Sequence, residues 1–298
     1  MNFLSTEQQG SLYAVISGLC YGFLGYFGVN LMNDDLSVSN MLFWRFFVTT
    51  ILMLPIVALR YKNIFTAFKE NIKIVFYGMA FYSTSAITYF IGSKYIGTGL
   101  TMVVFFVYPA IVMLFNCILY KGKISKMYYL AFSMILIGIG FLADLQDSKL
   151  DLKFDFLGIV FGILSAISYA FYVIGSKKSN ISPVLSTFLV SIGCMITCLI
   201  FACFDCSFFV PTHSSQWFNI IGMAIVCTAL PILLLLESLK YISSEKASMI
   251  SVLEPVFVVL FGIILLGETV SNMQIIGMLT VLLGALAALF SKNAINKK

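Results

Sequence analysis

Apolar residues run along this chain in long blocks separated by short polar stretches. An α-helix needs roughly 20 such residues to cross the hydrocarbon of a bilayer. The blocks predict spans over residues 11–32, 41–59, 74–92, 100–120, 127–141, 156–174, 183–204, 218–239, 247–266 and 273–290. The fold expected is therefore an all-α membrane protein of ten transmembrane helices. The longest polar connection, between Leu142 and Phe156, is too short to hold a soluble domain. Any binding site must lie between the helices.

The pattern repeats. Lys94-Tyr95-Ile96 recurs as Lys240-Tyr241-Ile242, a shift of 146. That shift carries Pro109 onto Pro255, Ser125 onto Ser271, Leu136 onto Leu282 and Gly138 onto Gly284. Nearer the start of each half a shift of 148 carries Ser17 onto Ser165, Tyr21 onto Tyr169 and Phe23 onto Phe171. Internal periodicity of this kind divides the chain into two like units, residues 1–148 and 149–298. Five spans per unit is an odd number, so the second copy enters the membrane from the opposite face. Two inverted five-helix repeats suit alternating access, with the site near the midplane where the halves meet. Small residues at four-residue spacing, Gly18 with Gly22 and Gly158 with Gly162, favour close helix packing.

Composition agrees with the blocks. Of the 298 residues 60% are hydrophobic and 10% charged, and the mean hydropathy is +1.01. A soluble domain carries about 25% charged residues, so a soluble enzyme and a disordered chain are excluded. A transmembrane β-barrel is excluded as well, because its strands alternate apolar and polar positions. The net charge of +5 reflects where the charges sit and is not a nucleic-acid signal. Arg60, Lys62, Lys69 and Lys73, then Lys121, Lys123 and Lys126, then Lys177 and Lys178, then Lys240 and Lys246, then Lys292, Lys297 and Lys298 fall on one side. That is 14 of the 18 basic residues. The other side holds Lys94, Lys149 and Lys153 with most of the acidic residues, including Asp34, Asp205 and Glu268. The excess of Lys and Arg in short loops marks the cytoplasmic face and puts both termini there. The first ten residues lack the basic segment that opens a cleaved signal peptide. Sixteen lysines against two arginines fit an AT-rich bacterial genome, and so an inner membrane.

Several local stretches resemble a known family. Phe43-Trp44-Arg45-Phe46-Phe47, Lys240-Tyr241-Ile242-Ser243, Leu253-Glu254-Pro255-Val256 through Leu266-Gly267-Glu268, then Ile276-Gly277 and Gly284 are similar to the EamA-type transporters of the drug/metabolite transporter superfamily. The resemblance covers essentially the whole chain. It implies ten spans, cytoplasmic termini and carriage of a small metabolite such as an amino acid, nucleoside or organic cation. The first half departs from the pattern, with Lys121-Gly122 where the second has Gly267-Glu268.

Three ionisable residues fall within or at the ends of spans: Arg45, Glu237 and Glu254. A charge at the bilayer centre costs at least ~2.5 kcal/mol and needs a partner or water. Arg45 is expected either to clamp an anionic group of the substrate or to pair with Glu254 or Glu237. Glu254 is a candidate cation ligand or proton carrier, Glu237 a second candidate for coupling. Glu254 precedes Pro255, which removes a backbone donor and loosens the helix. Pro109, its counterpart, follows Tyr108, and the two prolines are candidate hinges. Trp44, Tyr21, Tyr89, Tyr108 and Tyr169 are the candidate aromatic lining of a substrate cavity, opposed by the plainer reading of core packing. Ser83, Thr84, Ser85 and Thr88 form a polar patch that faces either a cavity or a neighbouring helix. Cys203-x-x-Cys206 with His213 nearby supplies three of the four ligands a zinc site wants, so no metal and no cofactor is expected.

The chain has no G-x-x-x-x-G-K-[ST] loop for ATP and a single histidine. The leading expectation is a secondary-active carrier, not an enzyme, with a small-molecule substrate, the lipid bilayer as surroundings and no nucleic-acid partner. A monomer and a homodimer both fit. An intramembrane lipid-modifying enzyme, a channel and a non-transporting scaffold are the alternatives.

Overall fold

The computed structural model describes residues 5–34, 36–120, 123–142, 156–267, 271–290 and 295–296. In the first half the chain forms α1 (Thr6–Gly22), α2 (Leu24–Asn33), α3 (Val38–Arg60), α4 (Ile64–Glu70), α5 (Ile72–Tyr77), a π-helical stretch (Gly78–Ser83), α6 (Thr84–Phe105), α7 (Tyr108–Tyr120) and α8 (Lys126–Leu142). The second half forms α9 (Phe156–Lys178), α10 (Pro183–Phe204), α11 (Ser214–Ala224), a second π-helical stretch (Ile225–Ala229), α12 (Leu230–Tyr241), α13 (Ser244–Ser251), α14 (Glu254–Leu266) and α15 (Asn272–Phe290). The extended residues are Lys123–Ile124, paired antiparallel with Ile295–Asn296.

Polar residues set the helix ends as their chemistry requires. Ser5 and Gln8 form a reciprocal capping box ahead of α1. Ser37, Asn63, Ser182 and Ser243 each accept a first-turn N–H of α3, α4, α10 and α13. Pro183 follows Ser182 at the start of α10, where its missing N–H costs nothing. Gly267 closes α14 at φ +68°, a left-handed conformation that glycine adopts without strain.

The molecule is a multi-pass membrane protein. Eight helical segments are long and apolar enough to cross a bilayer: Thr6–Gly28, Val38–Arg60, Ile72–Ile96, Leu100–Leu119, Phe156–Lys178, Pro183–Phe204, Ser214–Tyr241 and Ser244–Leu265. The other two expected spans are the shorter apolar helices Lys126–Leu142 and Asn272–Ala288. Ten spans are expected from the sequence, and eight reach full length among the described residues. Leu59, Phe76, Ile118, Ile264 and Leu283 are among many large apolar side chains on the outside, as an apolar solvent allows.

The two halves pack into one another. Helix α1 lies along α12, and its repeat counterpart α9 lies along α6. Helix α3 packs on α10 and α8 on α15, so each of these two contacts joins an element to its own counterpart, and α7 packs on α13. Close backbone approach makes the last pairing tight. A Cβ on Gly138 would stand 2.8 Å from the Gly277 carbonyl, and one on Gly284 would stand 2.9 Å from the Ala131 carbonyl. The 146-residue shift turns one contact into the other.

The breaks repeat too. Residues 106–107 interrupt α6 and α7, and residues 252–253 interrupt α13 and α14. Pro109 and Pro255 each stand second in the helix that follows. A proline there sacrifices no intrahelical hydrogen bond, which is why both helices restart cleanly. The π-helical stretches also fall at equivalent positions. The spacing of apolar residues predicts neither these stretches nor the short α4.

Candidate functional site

Elements of both halves enclose a cavity of about 100 Å³. Tyr21 of α1, Leu24 of α2 and Arg45 of α3 line it, with Tyr82 of the first π stretch. Helix α6 adds Ser85, Ala86, Tyr89, Phe90 and Phe105, and the second half adds Tyr169 of α9 and Glu254 of α14. The volume holds several waters or the head of a small ligand.

The aromatic walls are fixed by their own contacts. The Tyr21 and Tyr82 hydroxyls share a hydrogen bond of 2.9 Å. The Tyr169 ring meets Tyr108 edge to face at 4.8 Å and lies 5.4 Å from Phe105. Phe105 in turn abuts Tyr89 at 5.5 Å. Each ring is held by at least one other, so the faces turned to the cavity are set in advance of any ligand. The hydroxyl of Ser165 donates to the Ser85 carbonyl at 2.8 Å, fixing α6 against α9 beside the site.

Arg45 and Glu254 both line this cavity, yet they form no ion pair. The ion pairs among the described residues are Lys240–Glu237 and Lys246–Glu7. The Arg45 guanidinium is taken up elsewhere: Nε donates to Thr228 Oγ1 at 2.5 Å and Nη2 to the Cys227 carbonyl at 2.6 Å. The sequence explains why that carbonyl is free. Its α-helical donor would be the N–H of residue 231, which is proline and has none. Thr49, one turn beyond Arg45, shares its hydroxyl proton between the Arg45 carbonyl at 2.8 Å and the Ala224 carbonyl at 3.1 Å. Helix α3 thus holds the second π stretch through Arg45 and the end of α11 through Thr49. The counterpart of Arg45 in α10 is Gly193, which packs directly on the segment leading into the first π stretch, where a Cβ would collide with the Val75 carbonyl. One half closes this joint with backbone contact, the other with an arginine.

The Glu254 carboxylate has no hydrogen-bond or ion-pair partner among the described residues. It opens α14, where the helix dipole favours negative charge. It stands in a wall of tyrosine and phenylalanine rings with Arg45 across the cavity.

The other expected site residues lie apart. Trp44 is not in the lining. It packs among Phe43, Phe47, Phe208 and Trp217, and its Nε1 donates to the Phe209 carbonyl at 3.0 Å. Neighbouring residues on α3 point about 100° apart, so Arg45 and Trp44 serve different surroundings. Tyr108 is fully buried behind Tyr169, donating to the Ser248 carbonyl at 3.2 Å. Glu237 pairs with Lys240 at 2.9 Å near the end of α12, away from the cavity. Of the hydroxyl patch, Ser85 reaches the cavity, while Ser83 and Thr88 bond to carbonyls of their own helix. Glu268 lies outside the described residues.

Tyr82, Leu24, Ala86, Phe90 and Phe105 were not legible as lining residues. The repeat does carry one clue to Tyr82, because the 146-residue shift sets it opposite Thr228, the partner of Arg45. Cys203 and Cys206 are exposed free thiols. Among the described residues no group of three or more His, Cys, Asp or Glu gathers as a metal site would require.

Comparison with known proteins matches the EamA-like transporter family twice, over residues 8–143 and 156–290. An uncharacterized transporter of Archaeoglobus fulgidus is 32% identical over 134 residues, 44% of this chain and 47% of that protein. The uncharacterized transporter YxxF of Bacillus subtilis is 23% identical over 177 residues, 59% of this chain and 56% of its own length. The matched segments thus span about half of each relative. One solved crystal structure, 15% identical, superposes with a TM-score of 0.79 over 94% of this chain and 96% of its own. At that identity the likeness is one of fold.

Proposed function

The chain belongs to the EamA-like transporter family, and on that premise we propose that it is a secondary-active transporter of a small metabolite, an amino acid or a related polar or amphipathic compound. It works by alternating access between two inverted five-helix repeats. The two shorter helices, α8 and α15, complete ten spans in a bacterial inner membrane, with both termini in the cytoplasm. A 17-residue helix lies within the length range that spans a bilayer.

One observation carries the reading: a cavity built from both halves, with an unpaired carboxylate, Glu254, among aromatic walls that include the repeat-equivalent pair Tyr21 and Tyr169. The aromatic faces receive the apolar or cationic part of the substrate. Glu254 receives its ammonium or carries a coupling proton. Arg45, held by Thr228 and Cys227, sets the local field and closes the wall. Tyr108 supports the lining from behind Tyr169, whereas Trp44 and Glu237 stand apart from the cavity. The breaks at residues 106–107 and 252–253, with Pro109 and Pro255 just beyond, absorb the movement of the halves.

Counterflow tests this. Proteoliposomes preloaded with pooled amino acids, nucleosides or organic cations are offered labelled members of each pool. Accumulation driven by one pool is the expected result. No accumulation from folded protein with any pool would overturn it.

A further inference from the structure

A second cavity, of about 340 Å³, lies well away from the first, where α9 hands over to α10 and where α12 ends. Its character is different. Ser176 and Lys177 of α9, Ser179 and Asn180 of the following turn, Ser186 of α10 and Lys240 of α12 give it polar walls, and none of the residues lining it is acidic.

The polar groups are positioned and partly unspent. Lys177 Nζ donates to the Leu239 and Ile242 carbonyls at the end of α12. An ammonium has three protons to donate, so one remains. Lys240 also lines the cavity, with its Nζ 2.9 Å from Glu237 Oε2 and its side chain 48% exposed, so it keeps protons beyond the one Glu237 accepts. Ser186 is only 6% exposed and lines the cavity. Ser186 also lies in the first turns of α10, the end of the helix that attracts negative charge.

We infer that this cavity is an anion site that receives a phosphate group, from either a soluble phosphorylated compound or the headgroup of an anionic lipid. Two ammonium groups and the Ser186 hydroxyl line the cavity at the start of α10 with no acidic residue in the wall, which matches phosphate and opposes a cation. The occupied site ties the ends of α9, α10 and α12 together. On the proposed topology it opens toward the cytoplasm.

The test uses the full-length protein in a neutral detergent, with inorganic phosphate titrated at constant ionic strength and thermal unfolding as the readout. In parallel, nanodiscs of phosphatidylcholine with and without phosphatidylglycerol are examined by native mass spectrometry for retained lipid. A saturable rise in melting temperature with phosphate, weakened at least fivefold in apparent affinity by Lys240→Gln and by Ser186→Ala, supports a soluble phosphate. Retention of phosphatidylglycerol by the native chain, lost in the same two variants, supports the lipid headgroup. Neither variant removes the Lys177 contacts to α12, so both are expected to fold. Absence of both effects, or binding that is unchanged in both variants, overturns the inference.

Discussion

Ser17 and Ser165 make the same hydrogen bond in the two halves. Ser17 donates to the Pro231 carbonyl at 2.8 Å, and Ser165 donates to the Ser85 carbonyl at 2.8 Å. A shift of 148 relates the donors and one of 146 relates the acceptors. Each bond fixes the first helix of one half to the third of the other, beside the central cavity. Ser17→Ala and Ser165→Ala should each lower stability by about 0.5–1 kcal/mol, the usual worth of such bonds in membrane proteins. The two losses should be nearly equal and nearly additive in the double variant, as measured by unfolding in detergent.

Arg45 is expected to act on stability as well as transport. Its removal leaves the Cys227 carbonyl without that donor and frees the second π stretch from α3. Arg45→Ala should cost about 2–3 kcal/mol, and Arg45→Lys should recover little, because an ammonium cannot reproduce the forked contact with Thr228 and Cys227. Thermal unfolding with and without substrate checks this. Transport lost at unchanged stability would point instead to a direct substrate contact.

Glu254 separates two roles by substitution. Should it carry the coupling proton, Glu254→Gln keeps exchange of labelled for unlabelled substrate while uptake driven by an imposed pH gradient falls at least tenfold. Should it bind a cationic group, both activities fall together. Measuring exchange and gradient-driven uptake on the same vesicles distinguishes them.

The α8–α15 contact has no room for a methyl group at its centre. Gly138→Ala should destabilise by about 1–3 kcal/mol through overpacking against the Gly277 carbonyl. Gly140→Ala is the control, because nothing stands within 4 Å of a Cβ there. Comparing the melting temperatures of the two variants gives the answer.

Orientation is open to labelling. On the proposed topology the exposed thiols of Cys203 and Cys206 face outward. A membrane-impermeant maleimide added to whole spheroplasts should modify them, and Cys203→Ser/Cys206→Ser should abolish the signal. Modification only after the membrane is opened would reverse the topology.

The amino-acid sequence by itself determined the membrane environment, the eight full-length apolar spans among the described residues and the duplication, because these depend on periodicity and on the cost of charge in lipid, both local properties. Ser17 with Ser165, Tyr21 with Tyr169 and Pro109 with Pro255 could be paired from shifts alone: both serines bond a carbonyl of the other half, both tyrosines line the cavity and both prolines stand second in a helix. Neighbours across helices are another matter. Trp44 and Arg45 are adjacent in the chain, yet one joins an aromatic cluster and the other the cavity wall, since a helix turns successive side chains apart. The sequence offers Arg45 an anionic substrate group or the carboxylates Glu254 and Glu237 as partners. Tertiary structure gave it a hydroxyl and a carbonyl freed by Pro231, and left Glu254 unpaired. Which groups converge across helices depends on the distances between their axes and on their rotation, and no single stretch of the sequence carries that information.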